Sequence, residues 1–213
     1  LAHGPLKPRV QDRYLVEEQE LSGKEIVQKL NRIGPGAQRG GELNQLDLAI
    51  LLAAGEGKRM KSSRAKVLHE IAGRSLIAHV IKAIEPLAAK ELRVVVGANK
   101  DEVIQHLSEI SPNTKTIYQE VRGGTGHAVK LALENYHGSG TVLVCAGDTP
   151  LLTSETLSNL LAEHNSTNAC ATVLTTEMPD PSGYGRVIRD KDGSLAEIVE
   201  ERDATDSQKQ TLE

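Results

Sequence analysis

Six consecutive aliphatic residues, Leu48 to Ala53, run without a polar break into two closely spaced glycines, Gly55 and Gly57. An unbroken aliphatic run of this length reads as a strand buried on both faces, the kind found in a parallel sheet. The glycines let the backbone turn sharply and come close to a ligand. Behind them stand Lys58, Arg59, Lys61, Arg64 and Lys66. A strand, a glycine turn and then cations is a way to build a cradle for phosphate, with backbone N–H groups and side-chain charge facing the same anion. Two familiar phosphate motifs are excluded. Met60 stands where G-x-G-x-x-G needs its third glycine, and Gly55 and Gly57 are too close together for a P-loop.

From Leu46 onward, strand and helix patterns alternate. Helical spacing is expected over Ser75 to Ala88, Lys100 to Ile110, Gly126 to Asn135 and Thr153 to His164, with Thr153 or Ser154 as the last helix's N-cap. Strands are expected at Leu92–Gly97, Thr116–Gln119, Thr141–Ala146 and Cys170–Thr175. Repeated βα units imply an α/β fold, Rossmann-like, with a mostly parallel sheet and helices on both faces. Ligands in such sheets bind at the carboxyl ends of the strands. The polar tips at those ends are therefore the places to look for a site.

The 213 residues allow one sizeable core or a domain with an appendage. With no Phe or Trp and four Tyr, that core must be built from Leu, Ile, Val and Ala. A net charge of −4 argues against a general nucleic-acid binder. The basic cluster at 58–66 is thus local and suits a small anion. No apolar run approaches the ~20 residues of a membrane span, and no signal pattern opens the chain, so a cytoplasmic address is expected. Cys145 and Cys170 lie in apolar runs without metal-ligand spacing and are expected to be buried free thiols.

Residues 1–46 differ in texture and are expected to form an extension to a domain spanning 47–213. Leu1 to Gln19 is polar and irregular. Ser22 and Glu25 form a capping box for one short helix carrying Ile26, Leu30 and Ile33, and a glycine-rich linker follows.

Two further tips carry chemistry. Gln119-Glu120-Val121-Arg122-Gly123-Gly124-Thr125-Gly126-His127-Ala128 places three glycines and a threonine between strand and helix, where Gln119 and Thr125 offer donors and acceptors suited to a base edge. Asp148 directly follows the apolar strand that ends in Ala146, with Gly147 between them. A carboxylate there, facing a phosphate loop, is the expected place for a Mg2+ ligand.

Six segments, LLAAGEGKRM, AKVLHEIAGRSLIAHV, YQEVRGGTGHA, VLVCAGDTPLL, DPSGYGRVIR and IVEERDATDSQ, occur in order from about Leu46 to Glu213. Together they resemble the uridylyltransferase domain of the bacterial bifunctional N-acetylglucosamine-1-phosphate uridylyltransferase/glucosamine-1-phosphate acetyltransferase family, within the sugar-phosphate nucleotidyltransferases. The resemblance implies the nucleotide-diphospho-sugar transferase fold, truncated at the C-terminus. It implies that Leu52, Ala53, Ala54 and Gly55 line the uridine and phosphate site, and that Arg59 and Lys66 reach the triphosphate as catalytic cations. It further implies that Gln119, Gly124 and Thr125 recognise uracil, and that Ala146 and Gly147 flank the nucleotide. Asp148 would bind Mg2+, and Gly185 and Glu200 would hold the acetylglucosamine moiety. The implied partners are UTP and N-acetylglucosamine 1-phosphate, with a monomer expected for this chain and a trimer for the full bifunctional protein.

Several positions depart from the family pattern. Glu56 puts an acid in the phosphate loop, Lys58 replaces a small hydroxyl residue, and Ala65 replaces a proline. The family's asparagine-bearing segments and its left-handed β-helix domain would lie beyond Glu213. Two alternatives stay open: a non-catalytic module that holds UTP or the UDP-sugar, and a nucleotidyltransferase for another sugar phosphate or nucleotide. A Rossmann oxidoreductase is disfavoured by the missing third glycine.

Overall fold

The computed structural model of the chain describes residues 10–12, 46–55, 57, 60, 62–167, 169–191 and 193–213. The expected helix over 22–33 and its linker lie outside the described residues. The described chain divides into two units, 46–157 and 10–12 with 158–213.

The first unit is built on four parallel strands. They are β2 (Leu46–Ala53), β5 (Glu91–Val96), β6 (Lys115–Tyr118) and β7 (Thr141–Ala146), in the spatial order β6-β5-β2-β7. The aliphatic run that opens the motif is thus a central strand, paired with β5 on one side and β7 on the other. Both its faces are sealed, which is why it shows no polar alternation. On one face Leu48 and Ile50, with Val95 of β5, pack against Ala128, Val129 and Ala132 of helix α3 (Gly124–Ala132). On the other, Ala49, Leu51, Val94 and Val96 are equally closed to solvent. Helix α2 (Lys100–Ile110) contacts β5 and buries Val103 and Leu107.

Helix α1 (Leu76–Ile84) follows a two-residue hairpin of β3 (Glu70–Ile71) and β4 (Arg74–Ser75) that the sequence did not announce. Its N-terminus is where the pattern put it, because the Ser75 hydroxyl accepts from the Ala78 N–H at 3.2 Å. The core is aliphatic as composition required, and among the described residues no aromatic side chain is fully buried. Each fully buried Leu, Ile or Val contributes roughly 1.5–3 kcal/mol, so Leu48, Ile50, Leu51, Ile77 and Leu107 offset the missing rings.

The amino ends of the strands are tied by a polar network. Asp47 accepts from the Gly140 N–H at 2.8 Å and from the Tyr136 hydroxyl at 3.3 Å, and pairs with Lys90 at 2.7 Å. Arg93, buried, pairs with Glu91 and donates to the Ala132 and Glu134 carbonyls. The Lys90 ammonium, and then the Gly140 N–H, hold the Asp47 carboxyl below its ordinary 3.8 against the opposing effect of burial. A carboxyl depressed in the fold adds stability above its unfolded pKa, and that stability fades as pH drops through the folded value. Asp47→Asn is therefore expected to melt earlier than the parent chain at neutral pH, by an amount corresponding to ~1–3 kcal/mol. The two melting temperatures should converge as pH falls below 3.8. Thermal melts across that range check it.

Helix α4 (Ser154–Thr167) contains the division between the units, and the Thr153 hydroxyl accepts from the Thr156 N–H at its start. In the second unit, β8 (Thr172–Leu174) pairs antiparallel with β1 (Val10–Asp12). The stretch expected to be irregular up to Gln19 thus contains a strand, and the strand expected at Cys170–Thr175 is shorter. It also belongs to a separate two-stranded sheet. A second hairpin joins β9 (Arg186–Arg189) and β10 (Leu195–Val199). Arg189 grips the Glu213 carboxylate with two donors, and the Val187 N–H donates to the Glu213 carbonyl at 2.8 Å. Cys145 is buried, and burial pushes its thiol up to about 12. Cys170 is exposed, contrary to expectation, because it stands two residues before β8 begins. Among the described residues no helix is long and apolar enough to cross a membrane.

Candidate active site

The strand order fixes where a ligand can enter. The chain adds β5 and then β6 on one side of β2, and returns to place β7 on the other. The tips after β2 and β7 are therefore neighbours at a topological switch point, the crevice that binds ligands in open α/β sheets.

At that point the Gly147 N–H donates to the Leu52 carbonyl at 2.9 Å. A Cβ at residue 147 would lie 3.1 Å from the Leu52 oxygen and 3.4 Å from a Val67 methyl, so the position is tight. Asp148 follows, and its carboxylate forms an ion pair with the Lys66 ammonium. Lys66 opens a 3-10 turn, Lys66–Leu68, whose Val67 and Leu68 are buried and anchor its backbone. Gly57, at φ +59°, brings the glycine loop back over Lys66, where a Cβ would stand 2.8 Å from the Lys66 Cβ. The structure thus brings Gly147 and Asp148 to Leu52 and Lys66, which lie far from them in sequence. Arg59, Glu56, Lys58 and Lys61 lie outside the described residues.

The tip after β5 closes against the same loop. Gly97 lies so near Ala54 that a Cβ there would fall 2.5 Å from the Ala54 carbonyl oxygen. The Asn99 amide donates to the Ser63 carbonyl at 2.9 Å. Ala53, Ala54, Gly55, Ala65, Gly97 and Asn99 border a small recess here. Ala53 is buried, whereas Gly55 is exposed and has nothing within 4 Å of where its Cβ would be.

Beyond β6, the Gln119 N–H donates to the Val96 carbonyl at 2.9 Å, so this tip is tied to β5 as well. The Gln119 side chain is almost wholly buried. Its amide nitrogen lies 3.1 Å from the Gly124 carbonyl and 3.2 Å from His127 Nδ1. Helix α3 begins at Gly124, two residues earlier than the pattern suggested, because Gly123 as N-cap offers no side chain to mark a start. Gly124 has φ +78° and is exposed together with Thr125. His127 is the residue that the sequence reading left without a role.

Gly185 and Glu200 belong to the second unit. A Cβ at Gly185 would lie 3.5 Å from the Val199 carbonyl, so the two positions meet across the β9–β10 hairpin. Glu200 is exposed just past β10, and its carbonyl accepts from Asp203 and Ala204. Beside them Arg186, fully buried, pairs with Glu201 at 2.7 Å and donates to the Tyr184 carbonyl.

Among the described residues of the first unit, Lys66 and Asp148 bring a cation and a carboxylate together at this crevice. No group of three or more His, Cys, Asp or Glu able to hold a metal ion occurs among the described residues. A lone carboxylate suits Mg2+, which commonly takes one or two protein carboxylates and completes its shell with phosphate oxygens and water.

The chain is 50% identical over 167 residues to the bifunctional protein GlmU of Streptomyces avermitilis, covering 77% of this chain and 35% of that protein. It is 48% identical over 165 residues to the bifunctional protein GlmU of Thermobifida fusca, covering 75% and 34%. The chain spans about a third of the length of these curated relatives. Among solved structures, HddC from Yersinia pseudotuberculosis complexed with GMP-PN matches with a TM-score of 0.56 at 20% identity, covering 73% of this chain and 69% of that one. At that identity the likeness shows a shared fold. The family of MobA-like NTP transferase domains matches residues 49–210, and the chain belongs to that family.

Proposed function

We propose that this chain, through a domain spanning 47–213, transfers a uridylyl group from UTP to N-acetylglucosamine 1-phosphate, giving UDP-N-acetylglucosamine and pyrophosphate. The observation that carries the reading is the meeting of Lys66 and Asp148 beside the glycine loop at the switch point. A phosphate oxygen of the sugar phosphate attacks the α-phosphorus of UTP. The bond from that phosphorus to the bridging oxygen breaks, and pyrophosphate leaves with the electron pair. The attacking oxygen is already anionic near neutral pH, so no general base is needed. The difficulty is bringing two anions together, which calls for positioning and charge neutralisation.

Lys66, together with Arg59, neutralises the triphosphate, and Leu52 to Gly55 wrap it with backbone. Ala146 and Gly147 flank the nucleotide, while Gln119, Gly124 and Thr125 read the uracil edge. Gly185 and Glu200 hold the acetylated sugar. Asp148 would hold Mg2+ together with the phosphate oxygens, and the ion would supply further positive charge to the triphosphate. The same reading implies a cytoplasmic enzyme of small-molecule substrates in cell-wall precursor synthesis.

Pyrophosphate release from UTP, Mg2+ and N-acetylglucosamine 1-phosphate is the expected result, with weaker release from CTP, GTP or glucose 1-phosphate. UTP binding with no release under any pairing would turn the reading into a nucleotide-holding module. Faster release with a different nucleotide or sugar phosphate would reassign the substrates.

A further inference from the structure

A primary amide shows a donor at one end and an acceptor at the other, and a half-turn about its last torsion exchanges them. An amide that reads a base must therefore be held in one orientation. Gln119 is so held. Its Nε2 lies 3.1 Å from the Gly124 carbonyl, an atom that only accepts, so the amine end must face it. Its second amine hydrogen is directed to His127 Nδ1 at 3.2 Å. That contact requires a neutral imidazole carrying its proton on Nε2. With both hydrogens engaged, Oε1 is left without a hydrogen-bond partner among the described residues. The His127 ring lies over the bare backbone of Gly123, where an added Cβ would stand 2.7 Å from it.

Resting on the uridylyltransferase reading above, we propose that His127 is a positioning residue that locks the Gln119 amide with Oε1 presented to the base and so sets the preference for uracil over cytosine. At ring position 3 uracil carries an N–H donor and cytosine a bare acceptor, while at position 4 the roles are exchanged. A locked Oε1 opposite position 3 accepts from uracil and repels cytosine. The first N–H groups of α3, which have no partner within the helix, supply donors for the uracil carbonyl at position 4. Without His127 the amide has one tether in place of two and shows its donor end more often.

The test is the ratio of UTP to CTP dissociation constants, measured by calorimetry on the whole chain and its variants. His127→Leu removes the Nδ1 acceptor and is expected to cut the UTP preference by at least ~10-fold, the scale of one lost hydrogen bond of good geometry. His127→Asn puts an amide oxygen near the Nδ1 position and is expected to keep the ratio within about threefold. Gly123→Ala pushes the ring aside without deleting it and should lower the ratio in the same direction. That second route stays informative if the leucine variant does not fold. Retention of the full preference by both His127→Leu and Gly123→Ala would overturn the proposal. Gln119→Leu separates the two ideas. If it abolishes the preference while the His127 variants do not, uracil reading stands and the His127 lock is wrong. If Gln119→Leu also leaves the ratio intact, the uracil reading fails, and the lock with it.

Discussion

Lys66→Ala is expected to lower turnover by ~10²–10³-fold, the cost seen when one preorganised group facing developing charge is removed. The fold should hardly notice. The Lys66–Asp148 pair is partly exposed, with 39% and 29% of the two side chains open to solvent. Pairs of that kind contribute ~0–1 kcal/mol. Alanine also keeps the Cβ that packs near Gly57, and the buried Val67 and Leu68 still hold the turn. For a chain of this size ~1 kcal/mol moves the melting temperature by about 2–4 °C, so activity and stability should separate cleanly. Lys66→Arg keeps the charge but brings a planar fork where a compact ammonium stood, and should recover part of the rate. Steady-state pyrophosphate release beside a thermal melt makes the comparison. Parental turnover in Lys66→Ala would remove Lys66 from the chemistry, and a large melting shift would recast it as a structural residue.

That Lys66 meets Asp148 was legible only in part. The strand ending at Ala53 and the strand Thr141–Ala146 could both be read from their aliphatic runs, although only the first is closed on both faces and Val144 of the second is exposed. Their adjacency could not. It follows from pairing Leu52 with Ala146 across a parallel ladder, and from the chain passing to β5 and β6 before it returns to β7. Long-range pairing of that kind leaves no mark in local periodicity. Helix Lys100–Ile110 was legible from its apolar spacing, and Thr153 as a cap from its hydroxyl. By contrast Val10–Asp12 offers three residues with no pattern, and only Thr172–Leu174 makes a strand of them. The start of α3 was misplaced by two residues because a glycine cap carries no side-chain signal. His127 was passed over because its partner Gln119 is a neighbour in space and not in helical register. What local chemistry dictates was readable, and what two distant segments decide together was not.

Gly97→Ala is expected to damage both stability and nucleotide binding, and Gly55→Ala is the control that shows why. Neither glycine has a left-handed backbone, so neither is required for its torsions. The difference is space. At Gly55 an added methyl meets nothing within 4 Å, whereas at Gly97 it would lie 2.5 Å from the Ala54 oxygen and 3.1 Å from the Ala54 Cα. Those are backbone atoms, so no side-chain rotation relieves the clash, and one loop must move away from the other. Overpacking of this kind costs ~1–3 kcal/mol, occasionally more, which corresponds to a melting loss of several degrees. Ala54 belongs to the loop assigned to the triphosphate, and a displacement near 1 Å in a positioning element is worth ~10²-fold in rate. Gly97→Ala should therefore show an earlier melt, weaker UTP binding and slower pyrophosphate release together. Gly55→Ala should melt like the parent chain and lose only affinity, because its methyl projects into the space the phosphates are assigned. Equal UTP affinity in Gly55→Ala and the parent would move the triphosphate away from the glycine loop. Unchanged melting in Gly97→Ala would mean that the β2 and β5 tips separate without cost, and the crevice would then be a looser structure than the contacts at Ala54 imply.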